Sequence, residues 1–597
     1  MNRLRFLVLA AGCLIGPAST VWSAPVPAAR SGLEQIPDTA PLVIHVRGIQ
    51  GTRERFMALM AAALPDVKTK YQEAIDSFFE NGPDNILKGR KLSGLAKDGP
   101  LFFAFLDLPK LGDPGEPKMA FILAVSNYKE FRENILTKEE NQNVKDEGKG
   151  IESVSINNKP TYFVDRKGYA IVTPDKDVAE SFTKKSTGLH TKINKELAAK
   201  LLASDVGVYV DMKAINREYG ELIKQARQGL EQAVAFGAAA GDETQKKYTE
   251  MAKNAIPHIF QTLDDMQALV LTFELRPGGL ALHLQGEVKE NSPTANLLQD
   301  TRPVPFTELE RLPRDRAYYL GMKSSAALYK NLGSLITALP TGETKDTEKL
   351  IAELAKAGPG IQLSSGSFPS AGLDVYHYDD PTKAVAATLK MFQNMDIEAA
   401  KLKEKPVVKT DAEKFGAFKL HSVQLTFDLD KIVEQAAGRG YAKGGEDAKK
   451  QLFEAMKGLI GEKRTVWFGT DGKTFVQITA PDWKAASKLL EQYSKGAGTA
   501  GEVKAFRDVR KELPVNTSLL VLVDAVRLFG RIFETVKPLV PAGQLPPGWP
   551  NTPGKGTLSY LGLAVTLQPQ RGGLDLFISA AAAQEFYKAV IQPLLGE

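Results

Sequence analysis

Cysteine is almost absent from this chain: Cys13 is the only one among 597 residues. It lies in residues 1–23, which have the pattern of an export signal. Cleavage of that signal gives a mature protein without a thiol, and this excludes disulfides, a cysteine nucleophile and thiolate metal sites. Histidine is scarce as well, with six residues in the chain, so few groups are available as metal ligands or as general bases near neutral pH.

The first residues predict export. Arg3 and Arg5 supply a positive start, and residues 6–15 form an apolar stretch that is too short to cross a bilayer, which takes roughly 20 residues. We expect cleavage before Ala24 and an extracytoplasmic protein, periplasmic or secreted. A second interpretation makes Cys13 the lipid-anchored N-terminus of an envelope lipoprotein. The apolar run before Cys13 is short for such a signal, so the first interpretation is preferred.

Neither sign of charge dominates. The chain has 76 Lys and Arg against 71 Asp and Glu, a net charge of +5, with no long run of one sign. This balance predicts no nucleic acid partner and no electrostatic attraction to an anionic membrane. Long apolar runs are missing too, because residues 519–533 are interrupted by Asp524, Arg527 and Arg531. We predict no transmembrane span in the mature chain, and we expect an envelope protein or polymer as partner.

What the sequence does have is a recurring pattern, in which an apolar strand runs into a polar residue and then into an amphipathic helix. Its copies are residues 42–47, 206–211, 318–322, 423–428 and 519–524. A pattern that recurs in this way is typical of a scaffold, and it does not by itself indicate a reaction.

A second pattern predicts β-hairpins. Apolar residues alternate over 271–275, a turn follows at Arg276-Pro277-Gly278-Gly279, and the alternation resumes over 280–284. A close copy covers 563–578 around Gly572-Gly573, and weaker copies cover 467–475 and 372–375. Period-two alternation around a glycine pair indicates a hairpin with one buried face. Helices are predicted to follow, each with a proline in its first turn, at Pro174, Pro293, Pro381 and Pro481.

The two patterns together predict an α+β fold of repeated units of antiparallel strands with helices packed on one face. The predicted boundaries are a signal peptide at 1–23, repeat unit 1 with an inserted strand–strand–helix at 36–200, repeat unit 2 with an Ala-rich helical insert at 201–310, repeat unit 3 at 311–398, repeat unit 4 at 415–495 and repeat unit 5 at 512–597. Residues 224–256 are predicted to form a helical hairpin, and the proline-rich residues 537–556 an extended loop.

Candidate reactive residues are few. No two of the six histidines have the spacing of a metal site, and a His-Glu-x-x-His helix is missing. The histidines are His45, His190, His258, His283, His377 and His421. The nearest approach to a constellation is His377-Tyr378-Asp379-Asp380, where Asp380 precedes a proline and is predicted to cap a helix.

The remaining motifs also favour structural roles. Asp211, Asp428 and Asp524 recur where a strand meets a helix, so we predict helix caps, with a cation site as the alternative. Residues 469–474 lack the first glycine of a phosphate-binding loop and are predicted to be a hairpin turn. Residues 364–367 lack the Gly-x-Ser-x-Gly elbow of a nucleophilic serine. The sequence therefore assigns no catalytic, metal or cofactor-binding residue, and no cofactor.

One short segment carries a resemblance. The residues Ile36-Pro37-Asp38-Thr39-Ala40-Pro41-Leu42-Val43, which follow the signal, resemble a group of uncharacterised secreted bacterial proteins in which such a segment leads into a repeated strand–helix module. The resemblance implies an extracytoplasmic protein, and it brings no catalytic residues with it.

The leading functional hypothesis is an exported, non-enzymatic repeat protein with a binding or structural role at the cell envelope. Two hypotheses compete with it. One is an extracytoplasmic hydrolase whose site is assembled only in three dimensions, with His377 or His421 beside two acids. The other is the lipid-anchored lipoprotein, which depends on Cys13.

Overall fold

The structure is a computed structural model in which part of the chain is described. The described residues are 30–65, 90–109, 117–166, 168–184, 187–240, 243–299, 301–324, 352–367, 371–398, 400–436, 446–528, 530 and 557–592. The predicted signal, Cys13 and the proline-rich residues 537–556 lie outside the described residues.

Twenty strands are described. They are β1 (Leu42–Val46), β2 (Leu101–Phe105), β3 (Met119–Ala124), β4 (Lys145–Gly148), β5 (Ile151–Ile156), β6 (Lys159–Arg166), β7 (Tyr169–Thr173), β8 (Val206–Asp211), β9 (Met266–Arg276), β10 (Gly279–Val288), β11 (Tyr318–Lys323), β12 (Pro359–Ser367), β13 (Ala371–Tyr378), β14 (Val407–Phe415), β15 (Phe418–Thr426), β16 (Lys463–Thr470), β17 (Phe475–Ala480), β18 (Leu519–Val523), β19 (Leu561–Gln568) and β20 (Arg571–Ser579).

Fifteen α-helices accompany them in the described residues. They are α1 (Arg30–Gln35), α2 (Ile49–Ala63), α3 (Tyr128–Ile135), α4 (Lys138–Gln142), α5 (Lys176–Thr183), α6 (Lys195–Ala203), α7 (Met212–Ala240), α8 (Glu243–Asp265), α9 (Pro293–Leu298), α10 (Pro381–Gln393), α11 (Leu429–Ala436), α12 (Glu446–Ile460), α13 (Trp483–Lys495), α14 (Lys504–Arg510) and α15 (Ala580–Phe586). Short 3₁₀ helices cover Leu189–Thr191, Thr307–Arg311 and Ala500–Glu502.

The chain divides into two compact units. The N-terminal unit comprises residues 1–224 and 263–289, and the C-terminal unit comprises 225–262 and 290–597. In the N-terminal unit every strand pair is antiparallel, and the strand order is β4-β5-β6-β7-β3-β2-β1-β8-β9-β10. In the C-terminal unit the order is β14-β15-β16-β17-β13-β12-β11-β18-β19-β20. At each place in the order, the strand of the C-terminal unit therefore has a number ten higher than the strand of the N-terminal unit.

The backbone hydrogen bonds between loops and strands also match between the two units. The amide of Asp211 donates to the carbonyl of Pro41, and that of Asp524 to the carbonyl of Ala317, both at 2.8 Å. The 3₁₀ helices are held in the same way, since the Leu189 amide donates to Ile36 and the Ala500 amide to Leu312, again at 2.8 Å. The two units thus share their strand order and these matching backbone hydrogen bonds.

The predicted α+β class with antiparallel strands and helices is confirmed. The five repeat units stay a prediction. Strands of predicted units 1 and 2 share the sheet of the N-terminal unit, because β1 pairs with β8. Strands of predicted units 3, 4 and 5 share that of the C-terminal unit, because β11 pairs with β18 and β13 with β17.

One face of each sheet is covered by helices and holds the main core, and smaller core clusters around Phe131 and Phe163 lie on the other face of the N-terminal sheet, near β7. In the N-terminal unit, side chains of α5 and α6 pack on alternate strand residues, among them Phe102, Ile122 and Tyr209, which are at most 2% exposed. In the C-terminal unit, Tyr319 meets Phe506 of α14 edge-on at 5.1 Å, and Trp467 lies 5.9 Å from Trp483 of α13. At this end of the sheet a helix also lies on the other face, where Phe468 contacts Phe392 of α10.

Several local predictions are confirmed and two are corrected. The β9–β10 and β16–β17 hairpins form as expected, and the predicted helical hairpin is α7 and α8, which begins earlier, at Met212. Pro293 and Pro381 open helices, but Pro174 and Pro481 precede the capping aspartates Asp175 and Asp482. Gly572-Gly573 lies within β20, opposite Leu567 and Thr566, because the turn is completed two residues earlier.

None of the helices described is both long enough and apolar enough to cross a membrane.

Candidate functional site

The second face of the N-terminal sheet is apolar over six neighbouring strands, from β3 to β10. Three side chains from each of six neighbouring strands point to this face, and fifteen of these eighteen positions are partly buried. The rows across the strands are Met119-Phe105-Leu42-Val210-Leu269-Gly286, Phe121-Phe103-Ile44-Val208-Leu271-Leu284 and Leu123-Leu101-Val46-Val206-Phe273-Leu282. We call these eighteen positions the half-buried face of the N-terminal unit. It carries no polar side chain, and Gly286 is its only position without an apolar one.

The corresponding positions of the C-terminal unit differ on two strands. The four strands β11, β18, β19 and β20 again supply apolar or aromatic side chains, all partly buried. The rows are Gly372-Gly366-Tyr318-Val523-Leu561-Ile578, Asp374-Ser364-Leu320-Val521-Leu563-Leu576 and Tyr376-Gln362-Met322-Leu519-Val565-Leu574. We call them the half-buried face of the C-terminal unit. Its β12 and β13 positions are small or polar where the other unit has phenylalanine, leucine and methionine.

A hydrogen-bonded pair lies at the polar end of the central row. Ser364 and Asp374 face each other across β12 and β13, and the Ser364 hydroxyl donates to the Asp374 carboxylate. In the N-terminal unit the same two positions hold Phe103 and Phe121, whose rings stack with centroids 4.8 Å apart. The small residue Gly366 leaves space that the ring of Tyr318 fills, because a β-carbon at Gly366 would come within 2.6 Å of that ring.

Burial controls the acidity of this pair. Burial raises the pKa of Asp374 to about 6, and the Ser364 hydroxyl lowers it only in part. The pKa of Tyr318 is also raised, first by burial and then by the Asp374 charge. A carboxylate in such surroundings is costly unless a positive charge or several donors accompany it. Neither influence on the Asp374 pKa comes from a cation, so this face holds a carboxylate whose charge the described residues do not neutralise.

A second polar group is formed around His377. Its Nε2 atom lies 3.2 Å from Oε2 of Glu308, and the Tyr493 hydroxyl donates to the same oxygen at 3.0 Å. Hydrogen bonding to His377 lowers the pKa of Glu308, against the opposing effect of burial. A carboxylate that accepts two such hydrogen bonds is a weak base, and it holds the two donor side chains in place. The group ties the 3₁₀ helix 307–311 to β13 and α13.

The acids next to His377 in sequence do not join it. Asp380 accepts the Lys383 amide at 3.1 Å and caps α10, as predicted. Asp379 lies against Gly358. His377 therefore has one acid beside it, whereas the hydrolase hypothesis needs two.

His45, His283, His377 and His421 lie on β1, β10, β13 and β15. His45 is 1% exposed, and burial lowers its pKa to about 4. His283 lies 3.5 Å from Glu274, and Nδ1 of His421 accepts the Asp411 amide at 3.1 Å. His190 and His258 are exposed, in a 3₁₀ helix and in α8.

The aspartates at the strand–helix junctions cap helices, as predicted. Asp211 accepts the amides of Lys213 and Ala214 at 3.0 and 3.3 Å. Asp428 accepts the Lys431 amide at 3.2 Å, and Asp524 the Arg527 amide at 3.0 Å. In the described part of the chain, no group of three or more His, Cys, Asp and Glu side chains is arranged to hold a metal ion.

Sequence reasoning missed the Ser364–Asp374 pair. From the sequence, residues 364–367 are compared only with a nucleophile elbow, and Asp374 belongs only to a predicted hairpin. The available signal was an aspartate that alternates with the buried Leu373 and Val375, because such a residue must point to the other face of its strand.

Comparisons with known proteins give no relative: no family model, no curated protein and no solved structure matches this chain.

Proposed function

We propose that this protein is an exported, non-enzymatic binding protein of the cell envelope, and that its half-buried faces bind hydrocarbon chains. One observation carries the proposal: seventeen of the eighteen positions on the half-buried face of the N-terminal unit have apolar side chains. Contiguous apolar surface of this extent is typical of a ligand or interaction site.

The chemistry of this face favours a hydrocarbon over a protein or a polysaccharide. A protein interface has about one hydrogen bond per 100–200 Å² and a polar rim. The eighteen side chains of this face include no hydrogen-bonding group. Six strands at about 4.8 Å spacing extend about 24 Å from β3 to β10, which accommodates a long alkyl chain that lies across them. At one end, the ring of Phe103 stacks on Phe121 with centroids 4.8 Å apart and meets Phe105 edge-on at 4.7 Å, and these rings supply contact area.

Export supports a role outside the cytoplasm. It rests on the N-terminal sequence pattern of Arg3, Arg5 and residues 6–15. Mass measurement of the mature protein from fractionated cells tests it: cleavage before Ala24 and recovery outside the cytoplasm are expected. A lipid-modified Cys13 would identify the lipoprotein instead, and an intact N-terminus in the cytosolic fraction would contradict export.

Binding is tested by calorimetric titration of the full chain with 1-dodecanol at concentrations where the alcohol is monomeric. Leu271→Gln places an amide at the centre of the half-buried face and is expected to weaken binding about fivefold or more, because a buried unpaired amide costs on the order of 1–3 kcal/mol. The matched control is Leu222→Gln on α7, where the leucine is 45% exposed, and no change is expected. Absence of binding, or equal effects of both variants, would refute the proposal.

A further inference from the structure

The central row of the C-terminal face runs from polar to apolar. Asp374 and Ser364 lie side by side on β13 and β12, with Gln477 of β17 in register beyond Asp374. On the other side of the pair, Leu320, Val521, Leu563 and Leu576 continue in register across four strands. Four strand spacings of about 4.8 Å separate Ser364 from Leu576, about 19 Å in all. The row therefore has the length and the gradient of polarity of an extended amphiphile.

The charge at the polar end selects the head group. The Asp374 carboxylate is partly buried, and its described hydrogen-bond partner is the neutral Ser364 hydroxyl. Ionised carboxylates away from bulk water are stabilised chiefly by a cation that can also donate hydrogen bonds. A primary ammonium group does both, and its three donors can serve Asp374 and Ser364 together. A carboxylate or phosphate head would meet repulsion, since like charges at short range disfavour each other.

The packing around the pair explains the neighbouring glycines. Gly366 and Gly372 flank the pair on β12 and β13, where the N-terminal unit has Phe105 and Met119. A β-carbon at Gly372 would meet the Ser365 carbonyl oxygen at 2.9 Å, and one at Gly366 would meet the Tyr318 ring. Small residues are thus required here by the surrounding backbone and by Tyr318.

We infer that the half-buried face of the C-terminal unit is a site for a single-chain amphiphile with a primary amine head, with the ammonium group on Asp374 and Ser364 and the alkyl chain along Leu320, Val521, Leu563 and Leu576. The inference rests on the proposed function and adds the ligand class for one unit. The N-terminal face lacks this polar end and has no preference for an amine.

The test compares dodecylamine, 1-dodecanol and dodecanoate, each monomeric, by calorimetric titration of the full chain at pH 8. The wild type is expected to bind the amine about tenfold or more tightly than the alcohol, because an ammonium group makes a charged hydrogen bond where the alcohol makes a neutral one. Asp374→Asn keeps the shape of the side chain and should abolish this preference. Ser364→Ala should reduce the preference in part.

The matched control is Asp411→Asn, an exposed acid on β14 of the same unit, which should keep the full amine preference. Equal affinities for amine and alcohol in the wild type, or a preference that survives Asp374→Asn, would overturn the amine site and leave the proposed function standing. Failure of all three compounds to bind would overturn both.

Discussion

The two units have the same strand order but different side chains at one end of the central row of their half-buried faces. Where the N-terminal unit stacks Phe103 on Phe121, the C-terminal unit pairs Ser364 with Asp374. The flanking positions change accordingly, from Phe105 and Met119 to glycines. Because pairing register fixes which residues share a face, the side chains on two adjacent strands decide whether that end of the face is apolar or charged.

The helix-covered faces differ as well, at the second residue of β1 and of β11. Tyr319 is fully buried, donates to the Pro313 carbonyl at 2.9 Å and meets Phe506 and Tyr560. Val43 is the buried counterpart in β1. The C-terminal core thus depends on one large aromatic residue where the N-terminal core uses a small one.

The largest expected effect separates these two cores. Tyr319→Ala should lower the free energy of unfolding of the C-terminal unit by about 4 kcal/mol, since it leaves a large cavity and an unbonded carbonyl. Val43→Ala should cost the N-terminal unit about 2 kcal/mol. Hydrogen exchange with peptide-level resolution reads each unit separately. Similar losses of unfolding free energy in both variants would show that the C-terminal core does not depend more strongly on Tyr319 than the N-terminal core depends on Val43.

Acid should weaken the N-terminal unit through His45. Its folded pKa of about 4 lies below the unfolded value of 6.5, so the unfolded chain binds the proton first as the pH falls. The contribution of neutral His45 to the free energy of unfolding is present above pH 6.5 and is lost towards pH 4. The loss is about 3 kcal/mol in all. His45→Leu should remove this dependence, measured as the difference between variant and wild type in exchange protection at pH 7 and 4. A dependence unchanged by the substitution would exclude His45 as its cause.

Asp374 should give the C-terminal unit the opposite trend. Its folded pKa of about 6 lies above the unfolded value near 3.8, so the folded state binds the proton first. The contribution of Asp374 to the free energy of unfolding is complete below pH 3.8 and is lost as the pH rises through 6. The loss is about 3 kcal/mol, slightly less than that for His45. Asp374→Asn should remove this loss between pH 4 and 7 in thermal unfolding and exchange. If the variant kept the wild-type slope, burial of the Asp374 charge would be disproved.

The smallest expected effect is shared by both units. Asp211→Ala and Asp524→Ala each remove a helix cap and should each lower the free energy of unfolding by about 1 kcal/mol. The asparagine variants keep the capping oxygen and should recover most of that loss. Urea unfolding monitored by exchange measures both; a large loss in one unit only would mean that the two caps are not equivalent.

Local chemistry explains which elements the sequence could predict. Asp380 and Asp211 cap helices, and Pro277-Gly278 closes a hairpin, because each depends on residues within a few positions. The strand order was out of reach, since β1 lies between β2 and β8, and β8 starts some 160 residues further along. Ser364 and Asp374 could be placed on strands but not on a common apolar face, because that depends on the neighbours β11 and β18.

The turn between β5 and β6 has a practical consequence. Asn157 and Asn158, both at positive φ, close it within two residues, whereas the equivalent connection from β15 to β16 holds α11 and α12. Both connections bridge paired neighbouring strands at the same place in the sheet order. The architecture thus already accommodates some thirty-five residues of additional chain here, which marks 157–158 as a location for inserting a fluorescent or affinity module while ligand titrations are carried out on the intact sheets.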